Sequence, residues 1–142
     1  MFANILVALD GSPAGQIALE RAVDMARAGT AKLHAAYVVE TGLFSSIPAD
    51  NTVEIMYNVL KKEGESVLDK ARTEAAARGI TLTTHLKFGH AGSEIITLAE
   101  SINADLIIVG SHGKSQTDRL LIGSVSTFIV SHSKVSTMVV RS

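Results

Sequence analysis

The segment VGSHGKSQTDRLLIGSVS, residues 109–126, joins an apolar run to an amphipathic one through a loop that contains three glycines. The run before it, DLIIVG (105–110), is continuously apolar, which is typical of a strand covered on both faces. After Gly123, the residues Val125, Phe128 and Ile129 repeat at helical spacing. The segment therefore predicts a strand, a glycine loop and a helix, in that order.

The glycine loop matches neither standard phosphate-binding motif. A P-loop that ended in Gly113-Lys114-Ser115 would need a glycine at position 108, where the chain has Ile108. The GxGxxG pattern of dinucleotide-binding proteins is also absent from the sequence. Gly123 and the two serines after it nevertheless predict free backbone N–H groups at a helix N-terminus, where an anion binds favourably.

The rest of the chain alternates short apolar runs with amphipathic stretches. Further strands are predicted over residues 4–10, 32–40, 81–88 and 137–141, and helical spacing covers residues 13–29, 53–78, 95–102 and 125–132. This alternation predicts an α/β fold with a single doubly wound, five-stranded parallel sheet and helices on both faces.

The apolar patterns also predict the strand order. The first and fourth strands are continuously apolar and should lie in the centre, whereas TLTTHLKF (81–88) alternates like an edge strand. These features match the order 3-2-1-4-5, in which the chain direction reverses between strands 1 and 4. Open α/β sheets bind ligands at that reversal, beyond the C-terminal ends of the strands. The loops after strands 1 and 4 should therefore form the site.

Composition limits the classes of function. The chain has 142 residues, expected to form one domain over 1–142, and a formal charge of -1, which argues against nucleic-acid binding. It has no cysteine, so disulfides and thiolate chemistry are excluded. No apolar run reaches the roughly 18 residues of a membrane span, and the N-terminus does not resemble a signal peptide. A cytoplasmic location and no membrane partner are expected.

The histidines do not predict a metal site. His85 and His90 are five residues apart, so a straight strand would direct them to opposite faces. His34 and His132 are isolated in the sequence and are interpreted as structural residues.

The spacing G-x2-G-x9-G-[S/T], placed between ADLIIVGSHG and LLIGSVS, resembles the ATP-binding signature of the universal stress protein family. The opening NILVALDGSP resembles the first strand and turn of that family, and GHAGSEIITLAESINADLIIVGSHG (89–113) resembles its segment from strand 3 to strand 4. The resemblance covers nearly the whole chain. It implies an ATP-binding, regulatory stress-response protein with the adenine-nucleotide α-hydrolase-like fold.

The resemblance also implies which residues contact ATP. Asp10 matches an acid near the adenosine part, and Ala8 matches a position that lines the base. Val38 or Val39 matches the apolar wall at the end of strand 2, and Val109 and Gly110 match the adenine and ribose edge. A Cβ at position 110 would intrude on a flat ring or a ribose. The expected phosphate contacts are Gly113, Gly123, Ser124, Val125 and Ser126, mainly through backbone amides. Ser111, His112 and Arg119 belong to the same loop, and a loop cation such as Arg119 or Lys114 could reach the outer phosphates.

The implied cofactor is ATP, with Mg²⁺ (or Mn²⁺) bridging its phosphates. No general base is evident, so whether the protein is an enzyme stays open between binding alone, slow hydrolysis and autophosphorylation. The resemblance also implies a homodimer through the edge strand 137–141, since an edge strand offers unpaired backbone groups. The lead-in HSKVSTMVV (132–140) lacks the prolines that are common in the family at this place.

Other functions remain as alternatives. The main one is a dimeric adaptor or scaffold of the same fold that binds no nucleotide and whose glycine loop is only structural. A phosphorelay receiver would need an acid pair after strand 1 and an aspartate after strand 3, but the chain has Asp10 alone and ends strand 3 in Phe88-Gly89. A flavodoxin-type carrier would need more hydroxyl groups after strand 1 than Ser12 supplies.

Overall fold

The computed structural model describes residues 1–44, 51–112 and 123–141, and five strands in these ranges form one parallel sheet. The order is β3-β2-β1-β4-β5, as the sequence predicts. The strands are β1 (Asn4–Leu9), β2 (Lys32–Glu40), β3 (Leu82–Gly89), β4 (Leu106–Gly110) and β5 (Ser136–Val140). The chain direction reverses between β1 and β4, which pair directly with Ile5 opposite Leu106.

Helices cover both faces of the sheet. They are α1 (Pro13–Gly29), α2 (Asn51–Ala77), α3 (Ala91–Ser101) and α4 (Ser124–His132), and a short 3₁₀ turn spans Thr41–Phe44. Apolar residues of α1 and α2 share one buried cluster with β1 and β2. Residues of α3 and α4 share a second cluster with the other face of β1, β2 and β4. The doubly wound α/β architecture is therefore confirmed.

Burial separates the central strands from the edge strands. Leu6 and Val7 in β1, and Ile107 and Ile108 in β4, are fully buried because both faces of these strands carry helices. In β3 only Leu82 is buried, and most of the remaining residues are half-exposed. Continuous apolarity therefore identified the centre of the sheet correctly, and alternation identified one edge.

The helices that the structure describes include none long and apolar enough to cross a lipid bilayer. The longest, α2, has 27 residues, but charged side chains recur along its exposed face. Its buried positions form a single narrow stripe of Gly64, Leu68, Ala71 and Ala75. This pattern is that of an amphipathic helix packed on a sheet.

The turn between β1 and α1 is fixed by two short side chains. The Asp10 Oδ1 accepts a hydrogen bond of 2.9 Å from the Ser12 N–H, and the Ser12 Oγ caps α1 by accepting from the Gly15 N–H at 3.1 Å. Pro13 occupies the first helical position, where its missing N–H costs nothing. Ser12 is therefore the N-cap of α1, and it holds the end of β1 against the start of α1.

Gly64 allows α2 to lie close to the sheet. A Cβ added at this position would lie 2.6 Å from the Tyr37 Cδ1 atom and 2.8 Å from the Leu86 Cδ1 atom. Such distances are far inside van der Waals contact, so the helix would have to move outward to accept even alanine. A close approach therefore explains a glycine in the middle of this long helix.

His34 and His85 form a pair, so the interpretation of His34 as an isolated residue is wrong. The two lie on neighbouring strands with the His34 Nδ1 atom 3.1 Å from the His85 Nε2 atom, and their rings stack at 5.3 Å between centroids. Burial lowers the pKa of both histidines. The charge of Lys32 lowers the pKa of His34 further, and His34 and Lys87 do the same for His85.

We expect Gly64→Ala to destabilise the protein, although alanine is the better helix former by about 1 kcal/mol. Overpacking against Tyr37 and Leu86 should outweigh that gain, with a net loss of about 1–3 kcal/mol in the free energy of unfolding. Ser66→Ala, on the exposed face of the same helix, is the matched control and should be neutral or slightly stabilising. Urea titration measures both, and a stabilised Gly64→Ala would contradict the close approach.

The histidine pair should make stability depend on pH. Because the folded-state pKa of each histidine is lowered, the unfolded chain binds more protons, and stability falls as the pH drops below the ordinary histidine value of about 6.5. Between about pH 7.5 and pH 5, the free energy of unfolding should fall more steeply with pH for the wild type than for the double variant His34→Gln/His85→Gln. Thr83→Ala changes the same strand without removing a titrating group and should keep the wild-type slope. Equal slopes for all three proteins would rule out this linkage.

Candidate functional site

A cavity of about 370 Å³ opens at the C-terminal ends of β1, β2 and β4, where the sheet order reverses. Its volume lies within the range of about 300–1,000 Å³ that is common for small-molecule sites. Ten of the residues predicted for the site line it: Ala8, Asp10, Val38, Val109, Gly110, His112, Gly123, Ser124, Val125 and Ser126. The topology thus brings together residues that are more than 100 positions apart in the chain.

One wall of the cavity is apolar. Ala8, Val38 and Val109 contribute side chains from three neighbouring strands, because each lies at or near the C-terminal end of its own strand. Ile95 from α3 and Leu60 from α2 extend this surface from the two helical layers. A wall of this kind can accept a flat hydrophobic ring without leaving polar groups unpaired.

The N-terminus of α4 lines another part of the cavity. Gly123 is the N-cap residue and supplies no side-chain hydrogen bond to the helix, and the first helical bond runs from the Thr127 N–H to the Gly123 carbonyl at 2.9 Å. Ser124 and Val125 therefore begin the helix with N–H groups that have no partner within it. Together with the helix dipole, these groups favour an anion at this end of the cavity.

Ser126 lines the cavity, but its hydroxyl group is already used. It donates to the Gly123 carbonyl at 3.0 Å, and the Ser111 carbonyl lies 3.2 Å from the same Oγ atom. The Gly123 N–H also donates to the Ser111 carbonyl. These bonds fasten the start of α4 to the end of β4, so Ser126 can offer a ligand its backbone but not its hydroxyl group.

Asp10 contributes a carboxylate to the cavity from the end of β1. One of its oxygens holds the Ser12 N–H, so the residue fixes the turn as well as lining the site. Tyr37 lines the same cavity, and its pKa is raised by burial and, to a smaller extent, by the negative charge of Asp10. The tyrosine hydroxyl therefore stays protonated and can donate a hydrogen bond.

Two further acids line the cavity and were not predicted from the sequence. Glu40 lies at the end of β2, and its Oε2 atom accepts a hydrogen bond of 2.9 Å from the Ala91 N–H at the start of α3. The rule that ligands bind beyond the strand ends would have indicated Glu40. Glu63 projects from the middle of α2, and no sequence pattern indicates its place in the site.

Of the remaining lining residues, Val39 was the alternative to Val38 and Ser12 lies in the predicted loop after strand 1, whereas the other three were not predicted. The full set belongs to the start of α1, to the ends of β1 and β2 and to the start of α3, and it surrounds the residues already described. Its members are Leu9, Ser12, Gly15, Val39 and Ala91.

Gly110 has a packing role that the sequence did not indicate. A Cβ at this position would lie 2.9 Å from both the carbonyl carbon and the Cβ of Ala14, at the start of α1. The glycine therefore lets α1 approach the end of β4, whatever ligand the cavity takes.

Three of the predicted residues do not fall among the lining residues. Ser111 is fully buried behind the cavity wall. Gly113 and Arg119 lie outside the described residues, as do Lys114, Ser115 and Thr117. In the ranges that the structure describes, no group of three or more histidine or acidic side chains is arranged to hold a metal ion.

Comparison with known proteins identifies the family. The family model described as "Universal stress protein family" matches residues 1–141. A universal stress protein of Methanocaldococcus jannaschii is 31% identical over 141 residues, which cover 99% of this chain and 83% of that protein. The structure is similar to UspA from Lactobacillus plantarum, with a TM-score of 0.90, 26% identity and coverage of 98% and 97% of the two chains.

A second solved structure, a universal stress protein in complex with cAMP, has a TM-score of 0.69 and 28% identity, with coverage of 98% of this chain and 96% of that one. Some structures with this fold therefore hold an adenine nucleotide. The match of the family model across nearly all of the sequence shows that this chain belongs to the universal stress protein family.

Proposed function

We propose that the protein binds ATP in the cavity at the ends of β1, β2 and β4 and acts as a regulatory nucleotide-binding protein in a stress response. The observation that carries the proposal is the mixed lining of the cavity, which combines the apolar side chains of Ala8, Val38 and Val109 with the N-terminus of α4. ATP has groups that suit both, with a flat base at one end and anionic phosphates at the other.

The adenosine part would lie against the apolar wall. Asp10 would accept a hydrogen bond from a ribose hydroxyl or from the base, because one carboxylate oxygen can accept more than one donor. The protonated hydroxyl of Tyr37 would supply a donor near the same place. Both side chains line the cavity.

The phosphates would lie at the start of α4. The backbone N–H groups of Ser124, Val125 and Ser126 would donate to phosphate oxygens, supported by the helix dipole. The exposed Ser124 side chain adds a hydroxyl that the structure leaves at the surface of the helix terminus. Gly113 and Arg119 are proposed to complete these contacts.

Mg²⁺ (or Mn²⁺) would bridge the phosphates. The cavity carboxylates Asp10, Glu40 and Glu63 belong to three different elements and do not form a three-acid cluster among the described residues. The ion would therefore take most of its ligands from phosphate oxygens and water, as Mg²⁺ commonly does at nucleotide sites.

Any turnover of ATP would be slow. Asp10 and Glu40 each already accept a hydrogen bond from a backbone N–H group. Neither carboxylate is therefore available as a dedicated general base for an attacking water molecule. Ser111 is fully buried and is a poor phosphate acceptor for that reason. Autophosphorylation, if it occurs, would use a hydroxyl elsewhere in the glycine loop.

The complex of a related universal stress protein with cAMP supports an adenine nucleotide as the class of ligand. A dimeric adaptor without a nucleotide is the competing function. The adaptor would leave the cavity without a ligand, whereas a cavity that combines apolar side chains with a helix N-terminus favours nucleotide binding.

We also propose a homodimer through β5, predicted over residues 137–141 and observed as Ser136–Val140. This strand pairs with β4 on one side and ends the sheet on the other, so its outer backbone groups can pair with a second copy. Thr137, Met138 and Val139 are only half-buried in the single chain, and pairing would cover them.

Ser124→Asp should weaken ATP binding without harming the fold. A carboxylate at the first position of α4 favours the helix dipole, so stability should stay the same or rise. The same charge would repel the phosphates, and we expect the Kd for ATP, measured by isothermal titration calorimetry with Mg²⁺, to rise at least about tenfold.

Thr127→Asp is the matched control, since it places the same charge one turn along α4 at an exposed position that does not line the cavity. Its Kd should stay much closer to that of the wild type. Equal affinity of Ser124→Asp and wild type would place the phosphates elsewhere. Absence of ATP binding by the wild type would favour the adaptor function.

Thr137→Lys should shift the protein from dimer towards monomer, because a charged side chain on an edge strand opposes pairing with another edge. Ala28→Lys, at an exposed position of α1, adds the same single positive charge and should leave the wild-type dimer intact. Sedimentation velocity at several concentrations measures both. A wild type that sediments as a monomer throughout would refute the proposed interface.

A further inference from the structure

Ser111 is held more tightly than its loop position suggests. Among the described residues it is the most deeply buried polar one, and it lies directly after β4. Its N–H donates to the Val140 carbonyl at 2.8 Å, and its carbonyl accepts from the Gly123 N–H and the Ser126 hydroxyl. The backbone at Ser111 is therefore fixed by two other elements, β5 and the start of α4.

The buried hydroxyl of Ser111 has an imidazole as its partner. The Ser111 Oγ atom lies 3.1 Å from the Nδ1 atom of His112. A buried hydroxyl group needs an acceptor for its proton, and Nδ1 is the acceptor that the structure places beside it. If Ser111 donates, Nδ1 carries no proton, and a neutral His112 must carry its proton on Nε2.

The two ring nitrogens of His112 have different surroundings. Its Nδ1 edge points to Ser111, which is buried behind the cavity wall, whereas His112 itself lines the cavity. Gly123 and Ser124 line the same cavity at the N-terminus of α4. An Nε2–H group on this ring adds a directed donor at the end of the cavity that already favours an anion.

We propose that Ser111 is a positioning residue that holds His112 in the Nε2–H tautomer, so that His112 donates a neutral hydrogen bond to a phosphate oxygen of the bound nucleotide. This inference rests on the proposed nucleotide binding. It gives His112 a role that needs no positive charge, and it gives Ser111 a role without ligand contact. The Ser126 hydroxyl cannot replace this donor, because it bonds to backbone carbonyls.

The tautomer is tested first and without any ligand. Long-range ¹H–¹⁵N correlation spectra of the nucleotide-free protein, recorded at about pH 8.5 where an ordinary imidazole is neutral, distinguish the two tautomers. We expect the Nε2–H form to dominate at His112 in the wild type and its fraction to fall in Ser111→Ala. A dominant Nδ1–H form in the wild type would overturn the proposal.

A double-mutant cycle then tests the phosphate contact. Ser111→Ala and His112→Ala should each raise the Kd for ATP about threefold to tenfold, as expected for the loss of one hydrogen bond. If Ser111 acts through His112, adding Ser111→Ala to His112→Ala should change the Kd little further. Fully additive effects would show that Ser111 acts only by supporting the fold, and unchanged affinity of His112→Ala would remove the donor role.

Adenosine separates the phosphate contact from a general loss of the site. The His112→Ala penalty should be at most about twofold for adenosine, which has no phosphate, and larger for ATP. Equal penalties for both ligands would overturn the phosphate role. Absence of ATP binding by a wild-type protein with the Nε2–H tautomer would refute the proposed function and the phosphate contact together. A smaller fraction of this tautomer in Ser111→Ala would then still show that Ser111 positions the imidazole.

Discussion

The close contact between Gly110 and Ala14 is the constraint on which the site depends. With no Cβ at position 110, the start of α1 lies directly against the end of β4, and any larger residue would stand 2.9 Å from the α1 backbone. This approach brings the β1–α1 turn, with Asp10 and Ser12, to the same place as the loop after β4. At the reversal of strand order between β1 and β4, the cavity is therefore lined both by the β1–α1 turn and by the chain that follows β4.

Parts of the cavity lining differ in charge because they are built from different parts of the backbone. Strand ends contribute side chains, so the apolar wall and the carboxylates Asp10 and Glu40 come from β1, β2 and β4. The start of a helix contributes N–H groups, so α4 adds a partial positive charge to the part of the cavity that it lines. Carboxylates and a helix N-terminus in one cavity can in this way orient a ligand whose own ends differ in charge.

Much of the fold was predictable because burial leaves a clear pattern in the sequence. The continuous runs in β1 and β4 identified the central strands, and the strand order followed. The close approaches were not predictable, since nothing near Gly64 reveals that Tyr37 and Leu86 lie beneath it. Contacts between neighbouring strands, such as His34 with His85, depend on register, which composition does not fix. Glu63 was missed for a related reason, because its place in the cavity depends on how α2 crosses the sheet.

Ser111 shows why a loop motif and the strand beside it should be considered together. Its backbone joins the end of β4 both to α4, through Gly123, and to the edge strand, through Val140. A displacement of the start of α4 would therefore also affect the C-terminal end of β5, since Ser111 is hydrogen-bonded to both. The structure thus links the start of α4, which lines the cavity, to the edge strand of the sheet through the backbone of one buried residue.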